Sequence, residues 1–278
     1  MAELLDRVLS PEVMNRAWRG LKQDRAQWMP GVSRASIEKD WVLHLMRLME
    51  EVRAGEYQPA GLRRFTIAKA DGGKRVLSAL TLRDKLVQKA CQIVLDPLAE
   101  RLFSNDSYAY RRGRSVEMAV SKAKERVLCG LDWLVDADIR TFFDAIPHGA
   151  LRKVLRELVK DKDLLRLLDR WLAVGCSHQS LFGRRRGIPQ GAILSPLFCN
   201  LYLNQMDRLW DKQNIQFVRF ADDFLLFAPD QKRAEQMLRY TEKQLSKLGL
   251  ELHDKKTRVC HSGDKVIFLG KKLSKRRW

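Results

Sequence analysis

Two adjacent acids, Asp222 and Asp223, stand between short apolar segments of the kind that favour β-strands. Residues 217–227 therefore predict a β-hairpin whose tip carries both carboxylates. Successive side chains on a regular strand point to opposite faces, so neighbouring acids can share one target only where the chain turns. A polar turn that displays two solvated aspartates has the same local sequence, and this alternative stays open for the pair taken alone.

A third acid, Asp138, lies at the end of the apolar segment 133–139, which predicts another strand. If that strand neighbours the hairpin, three carboxylates meet, and burying them together is costly unless a cation neutralises them. Mg²⁺ prefers oxygen ligands and combines one or two carboxylates with substrate phosphates. A pair of such ions activates a hydroxyl and stabilises the leaving oxygen of a phosphoryl transfer. The acids therefore predict two bound Mg²⁺ ions, for which Mn²⁺ could substitute.

The chain is strongly basic, with a formal net charge of +18. Such an excess attracts polyanions, and nucleic acid is favoured over an anionic membrane. The cations cluster at residues 63–64, 111–114, 184–186 and 271–277. One such cluster would be ordinary solvated surface, but four of them favour a track for phosphates.

The sequence argues against several other classes of protein. No apolar run approaches the roughly 18 residues of a membrane helix, and the N-terminus lacks a secretory layout. Five cysteines form no CxxC pair, and their apolar or mixed surroundings favour buried reduced thiols over zinc ligands or disulfides. They are Cys91, Cys129, Cys176, Cys199 and Cys260. These features predict a cytoplasmic protein.

The elements that must position the acids are helices interspersed with short strands, which predicts the α+β class. Residues 1–60 have helical spacing and form a helical N-terminal extension. After them, Asp71–Gly73 predicts a hairpin turn with Lys69 and Arg75 close to it. Residues 187–191 form a loop, and Ser195 then opens a helix.

The order of six motifs resembles that of reverse transcriptases, and more narrowly the group II intron-encoded and CRISPR-associated lineage. The motifs are Lys69 with Arg75, residues 138–144, Ile188–Gly191, Phe220–Asp223, Lys256–Thr257 and Phe268–Gly270. Residues 55–59 and 107–115 also match short sequence motifs of that lineage. A Phe-Ala-Asp-Asp sequence alone would be weak, but six motifs in the family's order are specific.

The resemblance implies a right-hand polymerase with a thumb that is absent or truncated. Residues 61–278 would form its fingers and palm, interleaved in sequence. Its activity would be RNA-directed DNA polymerisation, which extends a primer 3′-OH with dNTPs by two-metal catalysis. The partners implied are an RNA template and a DNA or RNA primer. A CRISPR integrase, another defence protein or a structured non-coding RNA would be a further partner, in an antiphage or intron-like setting.

Among the acids, the resemblance implies that Asp138 and Asp222 are the principal metal ligands. Asp223 is then the third acid, and the Ile139 carbonyl is a further ligand. Asp136 serves as a comparison, because we expect it to point away from the apolar set of its strand.

For the nucleotide, the resemblance implies that Lys69 and Arg75 grip the triphosphate and that Phe143 excludes a ribose 2′-OH. Gln190 and Gly191 would lie along the nascent base pair, where glycine permits a close backbone approach.

Two further roles follow from the same resemblance. Lys256 matches a lysine that protonates the departing pyrophosphate, with Lys255 as an alternative, and Phe268, Leu269 and Gly270 match the primer grip.

Two rival functions remain open at this stage. The first is a catalytically silent scaffold that keeps the fold and binds RNA. The second is a polymerase that prefers ribonucleotides or copies a DNA template.

Overall fold

Helices and short strands are interspersed along the chain in the computed structural model, which describes residues 3–68, 72–175 and 185–273. The helices are α1 (Leu4–Val8), α2 (Pro11–Gly20), α3 (Arg34–Glu38), α4 (Trp41–Arg53), α5 (Leu82–Glu100), α6 (Val116–Leu128), α7 (Phe142–Ala145), α8 (His148–Leu158), α9 (Lys162–Gly175), α10 (Ser195–Lys212) and α11 (Gln231–Lys247). The strands are β1 (Arg63–Ala68), β2 (Lys74–Ala79), β3 (Trp133–Asp138), β4 (Gln216–Phe220), β5 (Asp223–Ala228), β6 (Arg258–His261), β7 (Ile267–Phe268) and β8 (Lys271–Lys272). The predicted α+β class is confirmed.

The chain divides into two compact units, and each unit is built from two separate segments. One comprises Met1–Arg101 with Pro147–Phe198, and the other comprises Leu102–Ile146 with Cys199–Trp278. The domain boundary that the sequence places after residue 60 stays a prediction.

In the first unit, β1 and β2 pair in an antiparallel arrangement, which agrees with the hairpin predicted for this segment. Helix α5 packs against α1 and α2. A buried polar group joins distant segments: the Tyr57 hydroxyl donates to Asp84 and accepts from Trp171 Nε1 at 3.3 Å. Arg170 donates to the Tyr57 carbonyl. The motif at residues 55–59 therefore has a structural role in this unit, through Tyr57.

The second unit contains an antiparallel four-stranded sheet in the order β4–β5–β3–β6. Leu134, Leu225 and Phe227 belong to its hydrophobic core together with Ala123 and Val127 of α6. Side chains two residues apart share a face of a strand. On this face β5 carries Phe227, Leu225 and then Asp223 at its start, whereas β3 carries Leu134 followed by Asp136 and Asp138, so the face changes from apolar to acidic toward the end of β3.

Four cysteines in the described part of the chain carry free thiols, and Cys176 lies outside it. Cys91, Cys199 and Cys260 are buried, and burial raises the pKa of each thiol. The prediction of a buried side chain is wrong for Cys129, which is exposed immediately after α6. Among the described helices, none has the length and apolar character needed to span a bilayer.

Candidate active site

The hairpin predicted for residues 217–227 is present, with a tip of two residues. Strand β4 ends at Phe220 and β5 begins at Asp223, so Ala221 and Asp222 form the connection. The Ile139 amide donates to the Asp222 carbonyl at 3.3 Å, which ties this tip to the chain that follows β3.

Asp138 lies directly opposite Asp223 in the pairing of β3 with β5. Directly opposed residues of an antiparallel pair have Cβ atoms about 4.5–5.5 Å apart. The pairing therefore brings Asp138, the last residue of β3, to the hairpin tip that carries Asp222 and Asp223. The oxygens of the three carboxylates do not all approach within 4.8 Å of one another.

Within the described part of the chain, carboxylates that do approach this closely are found at the surface. They are Glu3, Asp161 and Asp163. Asp161 accepts hydrogen bonds from the amides of Asp163 and Leu164 at the start of α9, so this group has a structural explanation.

The electrostatics of the hairpin tip favour a divalent cation. The pKa of Asp223 is raised to about 7, first by burial and then by the negative charges of Asp136, Asp138 and Asp222. Carboxylates that repel one another in a partly buried site are relieved by an oxygen-seeking ion. The donor set of Asp138, Asp222, Asp223 and a backbone carbonyl is consequently compatible with Mg²⁺ or Mn²⁺.

Lys256 forms an ion pair with Asp138, with its Nζ 2.6 Å from Oδ2. The turn that carries it is fixed to β3, because the His253 amide donates to the Asp138 carbonyl at 2.8 Å. The amide of Lys256 in turn donates to the His253 carbonyl at 2.9 Å. Its role as a proton donor stays a prediction.

Asp136 lies on the face of β3 opposite Trp133, Val135 and Ala137, so it points away from most of the apolar residues of its strand, as expected. It lies two residues before Asp138, so both side chains share one face of β3 together with Leu134. Arg258, its partner on β6, donates to the Asp136 carboxylate at 3.1 Å from both Nε and Nη2. The two-residue spacing of Asp136 and Asp138 in the sequence is the signal that their side chains share a face of the strand.

Phe143 belongs to the short helix α7 that follows β3. Its ring packs edge-on against Phe142, with 5.6 Å between the centroids. Phe142 is buried, whereas Phe143 is half-buried. Phe142 thus belongs to the core, and the role of Phe143 against the sugar stays a prediction.

In the first unit, Gln190 and Gly191 pack on the end of β2. The Gln190 carbonyl accepts a hydrogen bond from the Ser78 amide at 2.7 Å. Gly191 has φ +98°, and a Cβ placed there would lie 2.9 Å from the Ser78 carbonyl oxygen. Glycine is therefore required by close backbone packing within this unit.

Of the two residues predicted to bind the triphosphate, the structure describes one. Arg75 is exposed on β2 opposite Ile67. Lys69 lies outside the described residues. Gripping of the triphosphate stays a prediction for both side chains.

The predicted primer-grip residues form the turn between β7 and β8. Phe268 is buried in the core of the second unit, while Leu269 and Gly270 make a two-residue connection with φ +50° and +76°. Positive φ at both central positions is typical of a tight β-hairpin. Contact with a primer stays a prediction.

One arginine of the predicted phosphate track, Arg111, has a structural role instead. Arg111 is buried, and its Nη1 donates to the carbonyls of Ser104 and Ser107 at 2.5 Å each. This arginine stabilises a loop and is not part of a basic surface.

The chain is similar in sequence to several known proteins. The family model described as "Reverse transcriptase (RNA-dependent DNA polymerase)" matches residues 67–273. Protein YkfC of Escherichia coli is 28% identical, over 99% of this chain and 83% of its own length. The group II intron-encoded protein LtrA of Lactococcus lactis is 25% identical, over 97% of this chain and 56% of its own length.

Solved structures show the same fold at lower identity. A chain of a "Partial Cas6-RT-Cas1--Cas2 complex" superposes with a TM-score of 0.51 at 23% identity, covering 88% of this chain and 43% of that one. A telomerase from Candida tropicalis, in complex with a fragment of telomeric RNA, gives a TM-score of 0.56 at 16% identity, covering 78% of this chain and 44% of that one. This chain thus spans under half the length of both solved chains.

Proposed function

Since this chain belongs to the reverse transcriptase (RNA-dependent DNA polymerase) family, as its motif order predicted, we propose that it extends a primer 3′-OH with dNTPs on an RNA template. The observation that carries the proposal is the register that sets Asp138 opposite Asp223, beside Asp222. Asp138 stands far from Asp222 and Asp223 in sequence, and its position at the same sheet end supports a shared role in phosphoryl transfer with divalent ions.

Asp138, Asp222, Asp223 and the Ile139 carbonyl would hold two Mg²⁺ ions, with Mn²⁺ as a substitute. When bound, such ions activate the attacking hydroxyl and neutralise charge on the leaving phosphates. The raised pKa of Asp223 supports this assignment, because a carboxyl that is partly protonated near pH 7 becomes a full ligand once a cation offsets its neighbours.

The other residues bind and orient the substrates in this proposal. Lys69 and Arg75 hold the triphosphate, and Phe143 lies below the sugar, where its ring excludes a 2′-OH. Gln190 and Gly191 contact the nascent base pair. Lys256 supplies a proton to the departing pyrophosphate, and residues 268–270 contact the primer.

Primer extension on poly(rA)/oligo(dT) tests the proposal. The wild-type protein should incorporate dTTP, and Asp222→Ala should reduce incorporation by about 10²–10³-fold, since a metal-ion contribution is worth several kcal/mol. Glu242→Ala is the matched control, because this acid is exposed on α11. A wild-type protein that binds the hybrid but makes no product would favour the silent scaffold.

For the biological setting we propose bacterial antiphage defence with CRISPR proteins, or a group II intron-like role, in the cytoplasm. The supporting observations are the similarity to LtrA, the shared fold with a chain of the Cas6-RT-Cas1–Cas2 complex, and the free thiols. Co-purification with products of neighbouring genes tests this setting. An integrase that co-purifies supports the defence role, whereas a self-splicing RNA encoded around the gene supports the intron role.

A further inference from the structure

Strand β4 carries a buried charge, Arg219, three residues before Asp222. Its side chain and that of Asp207 on α10 are both 0% exposed. The guanidinium forks onto this carboxylate, with Nε 2.7 Å from Oδ1 and Nη2 2.5 Å from Oδ2. Two parallel bonds of this kind fix the orientation of the guanidinium as well as neutralising its charge.

The third nitrogen of the guanidinium reaches the hairpin tip. Arg219 Nη1 donates to the Ala221 carbonyl at 3.0 Å and to Asn200 Oδ1 at 3.1 Å. Ala221 has φ +59°, in the left-handed region that residues with a Cβ rarely adopt. Residues in such a conformation persist where the surrounding structure over-determines them. The contact from Arg219 is one such constraint on Ala221.

Both peptide groups that flank Asp222 are consequently held. The Ala221 carbonyl belongs to the planar peptide that enters Asp222, so Arg219 sets the orientation of that plane. The Asp222 carbonyl belongs to the next peptide, and it accepts from the Ile139 amide at 3.3 Å. With both planes fixed, the direction in which the Asp222 side chain leaves the backbone is fixed as well.

The strand around Arg219 is itself fastened to the segment that precedes α6. The Arg219 amide donates to the Asp106 carbonyl at 2.8 Å, and the Tyr108 amide donates to the Arg219 carbonyl at 2.9 Å. Asn200 Nδ2 donates to the Ala109 carbonyl at 2.7 Å. These hydrogen bonds give the motif at residues 107–115 a role, which is to hold Arg219 and Asn200 in place.

A buried ion pair is weak evidence for stability, because desolvation can cost as much as the attraction returns. A role in geometry explains its presence here better. We propose that Arg219, fixed by Asp207 and Asn200, is a positioning residue that holds Asp222 in the orientation needed to bind the divalent ions. The inference rests on the proposed function of the acids and assigns the support of that same site.

The test is Arg219→Lys, which keeps a positive charge beside Asp207 but lacks the planar guanidinium that bonds Asp207 and the Ala221 carbonyl at the same time. Mn²⁺ binding is measured by electron paramagnetic resonance without nucleic acid, and kcat and KM for dTTP are measured on poly(rA)/oligo(dT). We expect the Mn²⁺ dissociation constant to rise about tenfold and kcat to fall, with KM changed less than about twofold, because the nucleotide contacts are intact.

Thr241→Val is the matched control. It removes the buried acceptor, at 3.0 Å, of the Nε1 of Trp210, which lies on α10 like Asp207, while Thr241 itself is on α11. It should lower the melting temperature without changing Mn²⁺ affinity. A folded Arg219→Lys protein with wild-type Mn²⁺ affinity overturns the proposal, and so does an equal loss of affinity in Thr241→Val.

If Arg219→Lys does not fold, Asn200→Ala decides, since it keeps the Arg219–Asp207 fork and removes one acceptor of Nη1. A weaker Mn²⁺ affinity supports positioning, and an unchanged affinity overturns it. The proposed function fails separately: a wild-type protein that binds Mn²⁺ through Asp222 but extends no primer contradicts polymerisation and leaves the positioning role standing.

Discussion

The Lys256 ammonium lies 2.6 Å from Asp138 Oδ2, although 118 residues separate the two in sequence. The turn that carries Lys256 is fixed to the Asp138 carbonyl through the His253 amide, so this contact is built into the fold. The lysine is about half exposed, at 53%, which limits the strength of the ion pair through solvent screening. A divalent ion at Asp138 must share this carboxylate with the ammonium or displace it.

Lys256→Met should therefore tighten Mn²⁺ binding, by roughly threefold to tenfold, because a competing partially solvated cation is removed. If Lys256 also donates a proton to pyrophosphate, kcat should fall in the same variant. Binding is measured by electron paramagnetic resonance, and kcat by primer extension. Lys255→Met, which changes the exposed neighbouring lysine, is the control. Equal Mn²⁺ affinity in Lys256→Met and wild type would contradict competition at Asp138.

The Asp223 carboxyl predicts a pH dependence of stability. Its pKa is raised from 3.8 to about 7, first by burial and then by the charges of Asp136, Asp138 and Asp222. Between these two values the native protein binds a proton that the unfolded chain has released. Stability contributed by this group is therefore lost as the pH rises through about 7.

Thermal unfolding in EDTA at pH 5 and pH 8 measures this effect. We expect the melting temperature of the wild type to fall by several degrees more than that of Asp223→Asn, whose side chain does not titrate. Adding Mg²⁺ at pH 8 should recover most of the difference, because the ion offsets the repulsion. Identical pH slopes in the two proteins would show that Asp223 titrates normally.

Gly191→Ala should destabilise the protein by roughly 1–3 kcal/mol, the cost of a strained backbone conformation, and should lower polymerase activity. The glycine has φ +98°, and the added Cβ would meet the Ser78 carbonyl at 2.9 Å. Gly61→Ala is the control, since nothing lies within 4 Å of a Cβ there. Chemical denaturation gives the free energy of unfolding for each. Equal stability of the two variants would remove the packing constraint assigned to Gly191.

Phe143→Ala should raise the incorporation of ribonucleotides relative to deoxynucleotides, with little loss of stability, because this ring is half-buried. Phe142→Ala should instead destabilise the fold by about 3–5 kcal/mol, since its ring is buried in the core. Competition between rUTP and dTTP in primer extension reports the selectivity. Unchanged selectivity in Phe143→Ala would mean that this ring does not contact the sugar.

The sequence was sufficient wherever a signal is local. Apolar, β-favouring segments on both sides of Asp222 and Asp223 predicted their hairpin, and the turn signal at residues 71–73 predicted the β1–β2 pair. Both depend on neighbours in the chain and on turn chemistry. The order of the motifs predicted the family, because the order is preserved whatever the distances in space are.

Local signals failed for two residues. Arg111 is buried, and Cys129 is exposed. Burial depends on what packs from elsewhere in the chain, which the residue type alone does not specify.

What the sequence by itself determined is the strands that carry Asp138, Asp222 and Asp223, the β1–β2 hairpin, and the family. Only the tertiary structure decided which acid faces which: the pairing of β3 with β5 sets Asp138 against Asp223, and β6 brings Arg258 to Asp136. It also decided that Arg219 reaches both Asp207 and the Ala221 carbonyl. The physical reason is that strand pairing and buried ion pairs join residues far apart in sequence, and their free energy comes from contacts that exist only in the folded chain.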